Sequence, residues 1–138
     1  MKKLSVIKTQ TTDKFGNSCF GVAFMSGDQL IRHLCGIGEN LADETEKFCG
    51  GIIDHIKAGD VEFPFEENPH TVKIADGSFF ATLSLALMDG GELFFTTRPL
   101  DAKTDADFIC HVAQSAIDYL QDKDGNELEK ISDEEIPF

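Results

Sequence analysis

Four cysteines, four histidines and 25 acidic groups are the side chains here that could do chemistry, and their spacing decides which chemistry is open to them. Asp107, His111 and Ser115 stand at i, i+4 and i+8, so a helix would align them along one face. Their types are those of a hydrolytic triad, but a triad converges on one reacting atom and a straight stripe does not. A solvated polar face is the favoured reading. Cys110 beside His111 suggests a thiol nucleophile with its base. Consecutive helix residues point about 100° apart, so neither can activate the other without a distant partner.

Cys19, Cys35 and Cys49, with His33, His55 and His70, are suitable zinc ligands by type. None falls at a paired ligand spacing, so small buried cysteines and surface histidines are favoured, and no metal or other cofactor is expected. Asp122-Lys123-Asp124-Gly125-Asn126 has the composition of a calcium loop. With Gly125 at the glycine position, however, the first and last ligand positions fall on Leu120 and Ile131, which cannot coordinate, so it reads as a turn. Gly36-Ile37-Gly38 lacks the third glycine of a dinucleotide fingerprint and reads as a helix stop. A phosphate-binding loop, a nucleophile elbow and a His-Glu-x-x-His pair are all missing. No catalytic residue is assigned. What remains of the enzymatic reading is a small hydrolase or transferase whose cysteine or histidine meets an acid only through the fold.

Charge is the stronger signal. The chain carries 12 basic and 25 acidic side chains, a formal charge of −13. Residues 1–38 are net +3, whereas 39–100 and 101–138 are each net −8. Such a surface repels phosphate backbones and anionic membranes, and it steers basic proteins inward. The blander reading is solubility alone. The leading expectation is an acidic protein-binding module, most concretely a small inhibitor or immunity protein that masks a basic, nuclease-type toxin or enzyme. Asp43, Glu44, Glu46, Glu62, Glu66 and Glu67 are the acids expected to meet that partner. Twelve phenylalanines against one tyrosine and no tryptophan add a second signal. Alternation puts Phe80 and Phe94 on the sheet face opposite Phe79 and Phe95, so both faces are partly apolar. Either the N-terminal elements cover the second face or it serves a partner or a second copy; a self-associating structural subunit is thus a further alternative.

The elements that must position these groups follow from periodicity. Leu4 to Lys8 and Cys19 to Met25 alternate as two strands of a hairpin around Asp13–Asn17. Ser26 or Asp28 is expected to cap a short helical stretch through Leu30, Ile31 and Leu34. Asn40 is expected to cap a longer helix whose stripe is Leu41, Thr45, Phe48, Ile52 and Ile56. Gly50-Gly51 inside it implies a break or a close backbone approach. Val72 and Ile74, the Asp76-Gly77 turn, Phe79 to Leu87, the Asp89-Gly90-Gly91 turn and Leu93 to Thr97 predict a three-stranded meander that Pro99 ends. Thr104 is expected to cap a helix with Phe108, Ile109, Val112, Ala113, Ala116, Ile117 and Leu120 on its apolar face.

The fold class predicted is α+β, a central antiparallel meander of about residues 70–98 with two main helices packed on it. One domain spans 1–131, and 132–138 forms an acidic tail. No apolar run reaches the roughly 20 residues that cross a bilayer, and the apolar stretch before Lys8 is too short for an export signal. Scattered cysteines without a dense framework fit reduced thiols in a cytoplasm, although an even number also allows two disulfides.

Overall fold

The structure, a computed structural model, describes residues 3–59 and 68–121. Its elements run β1 (Ser5–Thr12), β2 (Ser18–Ser26), β3 (Gln29–Ile37), α1 (Glu39–Ala58), β4 (His70–Lys73), β5 (Phe79–Ala86), β6 (Glu92–Thr96) and α2 (Lys103–Gln121). This is an α+β fold. The same order, three strands and then a helix, occurs twice, although the sequence of one half does not repeat in the other. Each trio forms its own antiparallel sheet, ordered β1-β2-β3 and β4-β5-β6.

The second sheet is the predicted meander. Ala81, Leu83 and Leu85 alternate along β5 and are buried, because a strand turns every second side chain to the same face. Beyond β6 the chain rejoins β5 through paired hydrogen bonds between Phe79 and Leu100, with Arg98-Pro99 bulging out between Thr97 and Leu100. The bulge accommodates a proline that a regular ladder would exclude.

The first half departs from expectation. Residues 29–37 are a strand, not the short helix expected from Ser26 or Asp28. Gly27, at φ +61°, makes the tight turn that folds β3 back onto β2. Two register shifts, where Ile31 and Gly36 are extra residues opposite β2, interrupt the alternation that would have revealed a strand. Gly36-Ile37-Gly38 accordingly belongs to a strand end and not to a helix stop.

The α1 stripe is as predicted, with Leu41, Thr45, Phe48, Ile52 and Ile56 all buried. Its N-cap is Gly38, without a side-chain cap bond, and Asn40 lies inside the first turn. Thr104 likewise falls within α2, whose first turn is held by N–H groups of Asp105 and Ala106 on the Ala102 carbonyl. All seven predicted apolar residues of α2 are buried, each contributing about 1.5–3 kcal/mol for the larger side chains. Helix α1 packs on β1 and β2, α2 packs on β4 and β5, and the helices pack on each other. Buried residues from both halves join in one hydrophobic cluster.

Helix α1 also reaches the second sheet. A Cβ on Gly51 would stand 2.9 Å from the Phe95 ring of β6, so the absence of a side chain is what lets helix and strand approach so closely. The edge of the same ring meets the His55 imidazole, centroids 5.5 Å apart.

Candidate functional site

The acids expected to face a partner divide between the two flanks of α1. On the first flank Lys8, at the inner face of β1, is gripped by carboxylates: its Nζ lies 2.9 Å from Asp43 and 3.0 Å from Glu39. Hydrogen bonds that it donates to Asp43, then to Glu39, hold the Lys8 ammonium above its usual pKa. Glu46 binds the backbone of the same residue, accepting the Lys8 N–H at 2.6 Å. Strand β1 is an edge strand, and this carboxylate occupies an amide that would otherwise be open to another chain. Asp43 and Glu46 therefore have internal work, with Asp43 still 40% exposed. Glu62, Glu66 and Glu67 lie outside the described residues.

Glu44 lies on the opposite flank. Its side chain is only 7% exposed, and it faces a cleft of about 320 Å³ lined by Lys47 and Phe48 of α1 and by Phe95, Thr96, Thr97 and Arg98 at the end of β6. Its partners are distant. Arg98 offers its backbone N–H at 3.4 Å and its Nε at 3.7 Å, while the guanidinium side chain is 80% exposed. A well-made charge-assisted bond is about 2.7–2.9 Å long. A desolvated carboxylate with such long contacts has acceptor capacity left over beside the cleft it lines. Thr97 cannot supply the missing donor, since its hydroxyl donates to the Arg98 carbonyl while its oxygen accepts the Ala81 N–H.

Sequence reasoning names Glu44 as one of six acids expected to meet a partner, and gives no sign of the cleft it lines. Arg98 is the only basic residue between Lys73 and Lys103, and a lone cation in an acidic stretch was the available signal for an internal partner.

The polar row of α2 is not a catalytic triad. Asp107 accepts from Lys103 Nζ at 2.8 Å and from the Thr71 hydroxyl at 2.5 Å, and Ser115 donates to the His111 carbonyl. The Lys103 bond first, then that of Thr71, holds the Asp107 carboxyl below the usual carboxylate range. Cys110 turns toward Thr71, its Sγ 3.7 Å from the hydroxyl, and burial pushes its thiol up. Burial raises Cys49 further, so neither thiol is poised as a thiolate. All four cysteines are free, and among the described residues no cluster of three or more His, Cys, Asp or Glu could hold a metal ion.

Both sheets show apolar side chains on the face away from the helices. On the first, Ile7, Ala23, Met25, Leu30 and His33 line an open groove of about 480 Å³, with Thr9 Oγ1 2.7 Å from His33 Nε2. On the second, Phe94 is 65% exposed and Met88, in the β5–β6 turn, is exposed as well. Among the described residues Phe94 is left uncovered, and α1 meets β6 at Phe95, which points to the other face of the strand.

No family model, curated protein or solved structure matches this chain. Among the described residues no helix is long and apolar enough to cross a membrane.

Proposed function

We propose that the chain is an acidic protein-binding module, most concretely a small inhibitor or immunity protein that neutralises a basic toxin or enzyme of the nuclease type. The observation that carries this reading is the net charge of −13, with all the negative excess after residue 38. A field of that sign accelerates encounter with a basic protein and disfavours nucleic acid and anionic membranes. The β5–β6 hairpin adds a suitable surface: exposed Phe94 and Met88 stand beside exposed Asp89 and Glu92, an apolar centre with an acidic border. Four free thiols fit a reducing compartment such as the cytoplasm.

The test is affinity capture on the immobilised chain, at low salt, from its source cells or with the product of the adjacent gene. A basic protein should be retained and should elute as salt rises. Retention of no basic protein at low salt overturns the reading.

A further inference from the structure

We propose that the cleft between α1 and β6 is a receptor for one cationic side chain, an arginine or lysine of the basic partner, with Glu44 as its counter-charge. This deepens the protein-binding reading and rests on it for the identity of the ligand's carrier. The first ground is the state of Glu44, a carboxylate with 7% side-chain exposure whose contacts with Arg98 are 3.4 Å and 3.7 Å long. Desolvation of a charge is costly, and long contacts offset it poorly. A guanidinium or ammonium entering the cleft would give the carboxylate short, charge-assisted bonds.

The second ground is the shape and lining of the space. A cleft of about 320 Å³ has room for a single extended side chain, and the Phe48 and Phe95 rings in its lining accept an aliphatic stem or a flat guanidinium. Arg98 is placed as an internal stand-in: it is the same chemical group, attached at the rim, holding the carboxylate at arm's length with most of its own surface in water. A side chain from outside that makes the short bonds displaces it at little cost, because the guanidinium it displaces is already largely solvated.

Acetyl-arginine amide, titrated into the full chain and followed by two-dimensional amide NMR, tests this without any protein partner. Saturable shifts are expected at Thr96, Thr97 and Arg98, with no response to the neutral isostere acetyl-citrulline amide. Glu44→Gln should weaken binding by about tenfold or more, the loss of a bond to a charged group. Arg98→Ala should tighten it, since the internal competitor is gone. That variant changes a side chain already in solvent and decides the matter if Glu44→Gln does not fold. Equal response to the citrulline probe, movement of the same amides by inorganic phosphate alone, or weaker binding in Arg98→Ala each overturns the proposal. Silence from the arginine probe in both wild type and Arg98→Ala also overturns it, and leaves salt-dependent capture of a basic protein intact as a property of the general field.

Discussion

Gly50 and Gly51 are neighbours in α1 with opposite surroundings. A Cβ on Gly50 would meet nothing within 4 Å, whereas one on Gly51 would come 2.9 Å from Phe95 Cε1. Gly50→Ala should therefore stabilise the chain by about 0.5–1 kcal/mol through helix propensity alone. Gly51→Ala gains the same propensity but must push the Phe95 ring aside, and overpacking of this kind costs about 1–3 kcal/mol, so the net effect is destabilising. Urea unfolding of the two variants checks both signs; a Gly51→Ala chain as stable as Gly50→Ala would show that the ring yields freely. The clash matters beyond stability, since Phe95 is a wall of the cleft that holds Glu44.

Among elements, the contrast between the two sheets explains what could be read in advance. The second meander was legible because Phe79, Ala81, Leu83 and Leu85 keep an unbroken alternation between two turn signals. Strand β3 was not, because the extra residues Ile31 and Gly36 shift its register and leave a spacing that resembles a helical turn. Both helix stripes were legible, but neither cap was, since Gly38 and Ala102 carry no capping side chain. Of the candidate site, Glu44 stood out as an acid, while its cleft depends on Arg98, 54 residues away, and no local pattern reports a contact of that range. The first flank of α1 offers a direct test of how elements protect one another. In Glu46→Ala the Lys8 amide loses its carboxylate acceptor, so its hydrogen exchange should speed up while the amides of β2 remain protected. The cost in stability should be about 1 kcal/mol, the ordinary net worth of a hydrogen bond, because solvent on this partly exposed edge takes back most of the charge-assisted gain. Unchanged exchange at Lys8 would mean that Glu46 does not guard the edge.

For the molecule as a whole, the dominant electrostatic term is repulsion. Among the described residues the ion pairs gather on Lys8, Arg98 and Lys103, few against an excess of 13 negative charges. Exposed pairs of this kind contribute about 0–1 kcal/mol each and are weakened by salt, but so is the mutual repulsion that a net charge of −13 imposes. Raising sodium chloride from about 10 mM to about 150 mM should therefore raise the thermal midpoint. A midpoint that falls instead would give the ion pairs the larger share. The strand order has an entailment of a different kind. Every ladder in the two sheets joins strands consecutive along the chain, so each closes a short loop and forfeits little chain entropy before its bonds form. Such local wiring favours rapid assembly of each trio, whereas the cleft draws on both halves at once, since α1 of the first half and β6 of the second each supply a wall.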